Sequence, residues 1–289
     1  MTDTRIMELP DGRELAWLEL GDPAGRPIIG FHGTPGSRNQ LVLDEAPVRS
    51  AGIRLISVDR PGYGHSTLRP GRRLVDWADD VAGLADHLDL ERFGVIGLSG
   101  GGAHALVCAA FFPERVSAAG VISGVGPLSA PGDEEGMMPL NMLATRIARR
   151  SGKALRAIFG MAVFAQRRWP ERALEGMSRQ VPACDAEILA RPQVREAFIR
   201  DMRRSSATAG KAAAQDFELF SRDWGFRLED IKVPVHFWQG DADRNVPPAH
   251  ARRMAAAVPG AVLHEVPGGG HLMVVDRIAD ILSTLRPLI

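Results

Sequence analysis

A serine set between glycines is the residue of this chain best suited to covalent chemistry. The pentapeptide Gly97-Leu98-Ser99-Gly100-Gly101 follows an apolar run and precedes a helix-like stretch. A serine presented on so sharp a strand-to-helix turn sits in strained backbone, and the turn closes only if the residues two before and two after it are small. The helix that follows would point its free amides toward the serine. Ser99 is therefore a candidate nucleophile with an electrostatic stabiliser beside it.

A serine hydroxyl needs a general base within hydrogen-bond reach, and the base needs an orienting carboxylate. His271 follows three glycines after the last predicted strand, in a loop that can bring an imidazole back over a sheet. His32 and His65 each lie in a turn after a strand and are weaker candidates. Five histidines fall within predicted helices or strands, where a structural role is usual: His87, His104, His236, His250 and His264. His271 is the predicted base.

Two aspartates compete for the role of the orienting acid. A predicted strand ending at Trp238 leads into Gly240-Asp241-Ala242-Asp243, and either carboxylate could turn inward. Asp241, Asp243 and Asn245 also mimic the start of a calcium loop. Val246 stands where that loop requires glycine, and Arg252 stands where it requires glutamate. We therefore expect a partner for an imidazole here, no metal and no cofactor.

Strand-like and helix-like stretches alternate along the chain, which predicts an α/β fold with a mostly parallel eight-stranded sheet and helices on both faces. A turn at Pro10-Asp11-Gly12 predicts a hairpin and an antiparallel edge. The predicted strands are 4–9, 13–20, 27–31, 53–58, 93–98, 118–122, 233–238 and 261–266. The predicted helices that alternate with them are 74–88, 100–112, 248–258 and 272–285.

The alternation breaks between residues 127 and 230, where only helices are predicted, at 138–150, 153–167, 186–204 and 207–224. This pattern predicts an all-helical insertion, 127–230, in a core formed by 1–126 and 231–289. Functional sites of open parallel sheets lie beyond the carboxyl ends of the strands, so the insertion would cover them as a lid. Its methionines and phenylalanines either line an apolar pocket or, as we favour, pack its own helices.

The composition limits the kinds of partner. The 289 residues include 35 basic and 35 acidic side chains, so no overall field favours nucleic acid or an anionic membrane. No signal peptide is apparent, and no run of eighteen apolar residues occurs, which favours a cytoplasmic protein without membrane insertion. Cys108 and Cys184 are too few for a disulfide framework. We expect a small-molecule substrate that is partly apolar.

Five motifs occur in the same order as in the α/β-hydrolase family, and nearly the full length of the chain fits that family. The segments that resemble the family's oxyanion loop, its turn after the next strand, its nucleophile elbow, its acid loop and its base loop are, in order, 32–36, 59–66, 97–101, 240–247 and 270–271. The chain order of serine, aspartate and histidine agrees with the family as well.

The resemblance implies a serine hydrolase that forms an acyl-enzyme on an ester or related carbonyl substrate, with residues 127–230 as the family's cap. The residues that it assigns are Ser99 as nucleophile, His271 as general base, Asp243 rather than Asp241 as orienting acid, and the backbone amides of Thr34 and Gly100 as oxyanion hole. Many relatives carry a larger residue after the serine, so glycine at that position predicts extra room beside the nucleophile.

Several activities stay open on the same residues. An acyltransferase, a carbon-carbon bond hydrolase and an aminopeptidase would use the same triad, and a ligand-binding sensor with little turnover is an alternative of a different class. Serine at position 99 argues against the haloalkane dehalogenases and epoxide hydrolases of the family, because their ester intermediate forms on an aspartate.

Overall fold

The computed structural model describes residues 4–41 and 43–289, and in that part eight strands form one sheet. The strands are β1 (Arg5–Glu8), β2 (Glu14–Gly21), β3 (Arg26–Phe31), β4 (Ile53–Val58), β5 (Phe93–Leu98), β6 (Val116–Ile122), β7 (Val235–Gly240) and β8 (Val262–Val266). Their order across the sheet is β1-β2-β4-β3-β5-β6-β7-β8. Only β2 pairs antiparallel, with β1 and β4, among these described strands. The predicted fold class and its antiparallel edge are confirmed.

Helices lie on both faces of the sheet and between β6 and β7. They are α1 (Ala46–Ser50), α2 (Trp77–His87), α3 (Gly100–Phe111), α4 (Pro139–Arg150), α5 (Gly152–Arg168), α6 (Pro170–Ser178), α7 (Ala183–Ala190), α8 (Pro192–Arg204), α9 (Ala209–Phe220), α10 (Pro248–Ala257) and α11 (Val274–Leu285). On β5, Val95 packs into the core cluster that holds α2 and α3, and the next residue, Ile96, packs into the cluster that holds α11. This central strand is apolar throughout because both of its faces are covered.

The chain order reverses next to β3, and this reversal decides where a site can form. From β3 the chain continues to β4 on one side and then returns to β5 on the other, so β3 lies between them. Phe31 of β3 stands opposite Gly97 of β5. The loops that leave these two strands diverge at the carboxyl edge and open a crevice, which is the usual ligand position in such sheets.

Six helices, α4 to α9, lie between β6 and β7 in the chain, in the stretch predicted to be an insertion, and we call these six helices the helical insertion. The prediction of one helix over 186–204 is wrong, because Pro192 forces Arg191 into extended backbone and splits it into α7 and α8. Helices α1 and α6 were not predicted.

The division into a separate domain at 127 and 230 stays a prediction. Residues 1–3 and 42 of the predicted core lie outside the described part. No helix among the described residues combines the length and the apolarity that crossing a membrane requires.

Candidate active site

The backbone of Ser99 is strained in the way that the glycine pattern predicts. Ser99 links β5 to α3 with φ of 54° and ψ of −119°. Residues other than glycine rarely adopt this backbone conformation. A Cβ on Gly97 would overlap the Gly101 carbonyl, and a Cβ on Gly101 would overlap the Phe31 carbonyl. Both glycines are therefore required by close backbone approach, and the turn holds the serine at the carboxyl edge of the sheet.

The loop after β3 lies against this serine. A Cβ built on Gly33 would lie 3.2 Å from the Cβ of Ser99, and one built on Gly100 would overlap the hydroxyl of Thr34. Within residues 4–41 and 43–289, the backbone amides of Thr34 and Gly100 donate no hydrogen bond to the protein. Two N–H groups, one of them at the positive end of α3, are thus free to bind a negatively charged oxygen beside Ser99.

The expectation of extra room next to the nucleophile is wrong. A Cβ on Gly100 would overlap Thr34 Oγ1 and would lie 3.0 Å from Cζ of Phe220. The space next to Gly100 is filled by Thr34 and by the Phe220 side chain of α9. Glycine at this position accommodates the neighbouring residues and does not widen the site.

The loops after β7 and β8 bring an aspartate and a histidine together. Asp243 is buried, and its Oδ2 accepts a hydrogen bond of 2.8 Å from Nδ1 of His271. The backbone amides of Asn245 and Val246 donate to Oδ1 of Asp243 at 2.8 and 2.9 Å, and Gln239 donates to Oδ2 at 3.1 Å. These donors fix the carboxylate, so the neutral form of the His271 ring carries its proton on Nδ1 and its lone pair on Nε2.

The other candidates for the acid and the base, Asp241 and His32, bind different partners. Asp241 is exposed, and its carboxylate accepts a hydrogen bond from the backbone amide of Gly268 at 2.7 Å. His32 is fully buried, where its Nε2 accepts from the Arg60 amide at 3.0 Å and its Nδ1 faces the Gly33 carbonyl at 2.8 Å. Burial, with the nearby Arg60 charge, lowers the pKa of His32 well below its usual value. His32 is therefore a neutral structural residue.

His271 lies in an environment that favours its protonated form. Burial alone would lower the pKa of His271, but the charge and hydrogen bond of Asp243 and the charge of Asp185 outweigh it, so the pKa is raised. Among the described residues no hydrogen bond joins Ser99 to His271. In enzymes such bonds often shorten only when a substrate is bound.

Sequence reasoning missed Asp185, a buried carboxylate of α7 that holds the loop of His271. Its Oδ2 accepts a hydrogen bond of 2.9 Å from the His271 amide, and its Oδ1 accepts one of 2.8 Å from the Leu272 amide. A carboxylate from the helical insertion thus fixes the backbone of the candidate base. The sequence holds no local signal for this contact, since its partners lie more than eighty residues away.

Sequence reasoning also missed a buried ionic network centred on Asp216 of α9. Asp216 Oδ2 accepts hydrogen bonds of 2.7 Å from each of Thr34, Arg60 and Tyr63, and Oδ1 accepts one of 2.6 Å from Arg72. The Asp216 and Arg60 side chains are 0% exposed. The oxyanion loop, the turn after β4 and the helical insertion therefore meet at one carboxylate.

The charge state of this network follows from its composition. Burial would raise the pKa of Asp216, but the guanidinium groups of Arg60 and Arg72 outweigh it and hold that pKa well below its usual range. Burial and the same two cations lower the pKa of His104 well below its usual value, so His104 is neutral. One signal was present in the sequence: an aspartate among the alanines and phenylalanines of a fully apolar helix face needs a buried cation.

The cavity beside Ser99 is small and uncharged. Its volume is about 40 Å³, little more than the space of one water molecule. None of the described residues that line it carries a formal charge: Thr34, Ser99, Val125, Leu128, Met137, Asn141, Phe217, Phe220, Asn245 and Val246. In the same described part of the chain, no three His, Cys, Asp or Glu side chains group as metal ligands.

We predict that Asp216→Asn lowers the free energy of unfolding by about 3–5 kcal/mol, because it leaves two buried guanidinium groups without their anion. Urea denaturation followed by circular dichroism measures the change. Glu218→Gln is the matched control on the same helix. Glu218 is buried, but its partners Arg156 and Arg222 are 46% and 67% exposed and stay hydrated without it, so its loss is expected to cost at most about 1 kcal/mol. Equal losses in the two variants would contradict this account of the network.

We predict that the His271 imidazole titrates above the usual value of about 6.5 and that Asp185→Asn lowers its pKa. The substitution removes a nearby negative charge that stabilises the imidazolium, so deprotonation occurs at lower pH. Nuclear magnetic resonance of the labelled imidazole measures the midpoint. Asp276→Asn, which removes a surface carboxylate paired with Arg191, is expected to leave the midpoint unchanged. A midpoint that rises or stays constant in Asp185→Asn would overturn this assignment.

Comparison with known proteins agrees with the geometry. Residues 28–282 match the "Alpha/beta hydrolase family". The 2-hydroxy-6-oxo-6-phenylhexa-2,4-dienoate hydrolase of Burkholderia cepacia is 29% identical over 265 residues, which cover 88% of this chain and 84% of that protein. The crystal structure of the enol-lactonase from Burkholderia xenovorans LB400 superposes with a TM-score of 0.71 and 21% identity, covering 98% of this chain and 99% of that one.

A further match is partial. The dihydrolipoyllysine-residue acetyltransferase component of the acetoin cleaving system of Pseudomonas putida is 36% identical over 116 residues, 40% of this chain. The match spans 31% of that protein, so the chain covers about a third of this relative's length. Because the family match extends over most of the chain and the sheet, turn and crevice agree with it, the protein belongs to the alpha/beta hydrolase family and is a hydrolase.

Proposed function

We propose that this hydrolase cleaves a neutral, partly apolar carboxylic ester through an acyl-enzyme on Ser99. The observation that carries the proposal is the strained Ser99 turn, which packs against the loop of Thr34. The amides of Thr34 and Gly100 donate no hydrogen bond among the described residues, which supports their role as oxyanion donors. The Asp243–His271 pair stands on the same edge of the sheet and supplies a base. A nucleophile, an oxyanion site and an oriented base are the three parts that acyl transfer to serine requires.

In the first half of the reaction, Ser99 Oγ attacks the ester carbonyl while Nε2 of His271 takes its proton. Asp243 holds Nδ1–H, so Nε2 presents its lone pair and the imidazolium that forms is stabilised by the carboxylate. The carbonyl oxygen becomes an oxyanion and accepts hydrogen bonds from the Thr34 and Gly100 amides. The C–O bond to the alcohol then breaks, and His271 returns the proton to the leaving oxygen.

In the second half, water attacks the acyl-enzyme carbonyl, and His271 accepts one proton from that water. The same amides bind the second oxyanion, and its collapse releases the carboxylic acid and returns the proton to Ser99. Asp216 does not touch the reacting atoms. It positions Thr34 by accepting a hydrogen bond from the Thr34 hydroxyl, and through that residue it fixes one donor of the oxyanion site.

The uncharged cavity supports a neutral substrate. A second candidate, carbon-carbon bond cleavage of a dienoate, is favoured by the similarity to the Burkholderia cepacia hydrolase over 88% of this chain. A dienoate carries a carboxylate, and burying an unpaired carboxylate costs several kcal/mol. The nearest buried cations, Arg60 and Arg72, are already bound to Asp216. A neutral ester therefore fits better.

A cytoplasmic location stays a prediction from the sequence.

We predict that Ser99→Ala abolishes both turnover of p-nitrophenyl butyrate and labelling by a fluorophosphonate. Asp243→Asn is expected to lower kcat by about 10⁴, because the imidazole then adopts the wrong tautomer. Asp241→Asn is the matched control and is expected to keep nearly full activity, since its carboxylate only bonds the Gly268 amide. If folded wild-type protein shows neither labelling nor turnover, the enzyme proposal fails and the ligand sensor is favoured.

The substrate class has its own test. We expect kcat/KM for p-nitrophenyl butyrate to exceed that for the p-nitrophenyl half-ester of glutaric acid by about 100-fold or more, because the latter brings an unpaired carboxylate into the cavity. Both esters share the same leaving group, so the ratio isolates the acyl part. A ratio near one, or faster cleavage of 2-hydroxy-6-oxo-6-phenylhexa-2,4-dienoate, would show that the substrate assignment is wrong.

A further inference from the structure

The outer face of α5 is apolar and open to solvent. Met161 and Phe164 are each 67% exposed, and Ile158 and Trp169 are close to half exposed. On a helix with 3.6 residues per turn, the positions on α5 fall within an arc of roughly 120°. We define the α5 outer surface as Ala154, Ala157, Ile158, Met161, Phe164 and Trp169.

The same helix is also apolar on its inner side, where Leu155 and Val163 are buried. A helix at a protein surface ordinarily has one apolar face, and the second one here is exposed with respect to the described residues. Of the ten large apolar side chains that are exposed in the described part of the chain, six lie between residues 140 and 169. Leu140 and Leu143 of α4 are two of them. Such a concentration is typical of a binding surface.

The charge around this surface is strongly uneven. Residues 139–179 contain nine arginines and lysines and two glutamates, a net charge of +7, although the whole chain has a net charge of zero. Both glutamates, Glu171 and Glu175, pair with arginines outside this segment. Three arginines of the segment pair with Glu134 or Glu218 outside it. Within the described part of the chain, four cations beside the outer surface join no ion pair: Arg150, Lys153, Arg167 and Arg168. The balanced total that argued against an anionic membrane therefore conceals a basic segment.

We propose that the α5 outer surface docks on an anionic lipid surface, peripherally and without crossing it. The apolar side chains would enter the boundary between headgroups and acyl chains, and the arginines would bind lipid phosphates. Apolar residues with an aromatic on one side of a helix and flanking Lys and Arg are the pattern of helices that lie in a membrane interface. Each cation near such a surface adds to binding.

Charge argues against a second copy of this chain as the occupant. In a two-fold symmetric dimer the same patch faces itself, so the four unpaired cations beside it would be brought toward their own copies. Like charges in contact cost binding energy, whereas an anionic surface satisfies the same cations. The proposal does not depend on hydrolysis, because it rests on exposed side chains and charge alone.

The α5 outer surface lies on a helix that packs against the wall of the cavity beside Ser99. The inner side of α5 packs against α9, with Phe159 in contact with Phe217 at a ring separation of 5.3 Å. Phe217 lines the cavity beside Ser99. A lipid surface on α5 would thus be separated from the cavity by α5 itself and by the Phe217 side chain of α9.

The test is flotation of the Ser99→Ala protein with vesicles of phosphatidylcholine, with and without phosphatidylglycerol. Using this variant keeps the outcome independent of the proposed activity. We expect binding to the vesicles that contain phosphatidylglycerol, weakened by salt, and at least about tenfold weaker binding to phosphatidylcholine alone. Met161→Gln with Phe164→Gln is expected to weaken binding about tenfold or more, and Arg167→Glu with Arg168→Glu about 30-fold.

The matched control is Val262→Gln, which replaces an exposed apolar residue on β8, outside the α5 outer surface. It is expected to bind as the parent does. Three results would overturn the proposal: no binding to either vesicle, binding that the α5 substitutions leave unchanged, or a concentration-dependent dimer in light scattering that the Met161 and Phe164 substitutions abolish. The last result would make a second copy the occupant.

Discussion

The arrangement of this site depends on the buried ion pairs that the Asp216 carboxylate forms with Arg60 and Arg72. Arg60 and Arg72 are almost completely inaccessible to water, and cations in that position are tolerated only with an anion in contact. The anion comes from α9, which belongs to the helical insertion, whereas both arginines come from loops of the sheet. Because the Thr34 hydroxyl bonds the same oxygen, the oxyanion loop is placed by a residue 182 positions away in the chain.

The helical insertion reaches the other two loops of the site as well. Asp185 of α7 binds the backbone of the loop that carries His271, and Asn141 of α4 donates to Asn245 in the loop that carries Asp243. A cover that only closed over the crevice would not need these contacts. The insertion therefore forms part of the framework that orients the candidate catalytic groups. Since the cavity is so small, we expect substrate entry to displace apolar side chains such as Met137 and Phe217, while the buried carboxylates keep their partners.

Local physical constraints explain what the sequence reveals. The bounds of β5 are predicted to the residue, because a strand buried on both faces reads as a continuous apolar run. Those of β4 are also predicted to the residue, although Arg54 and Ser57 interrupt its apolar run. The Ser99 turn is recognisable because backbone contact excludes side chains at Gly97 and Gly101. The choice between Asp241 and Asp243 stays open in the residues themselves, since both follow the same strand. Only the folded loop shows that backbone amides and Gln239 hold Asp243 toward His271.

What the sequence does not reveal depends on contacts between distant segments. Nothing near Asp185 or Asp216 identifies the loops that they bind. The space beside Gly100 is set by Thr34 from the loop after β3 and by Phe220 from α9, which are distant in the sequence. The break between α7 and α8 was readable at Pro192, and sequence reasoning missed it by weighting the apolar spacing above the proline.

The two sides of the helical insertion differ in whether their charged side chains are paired. Toward Ser99, the buried charged groups are held by close partners: Arg60 and Arg72 by Asp216, Asp243 by His271, and Asp185 by two backbone amides. The space left for a substrate is consequently neutral, although it is surrounded by ionisable side chains. Toward solvent, the same insertion leaves arginines without carboxylate partners beside exposed apolar residues. A total charge of zero hides both facts, because it adds the paired charges of the interior to the unpaired ones of the outer surface. The chemistry of the two faces follows from which charges are paired and where, so it had to be found in the fold.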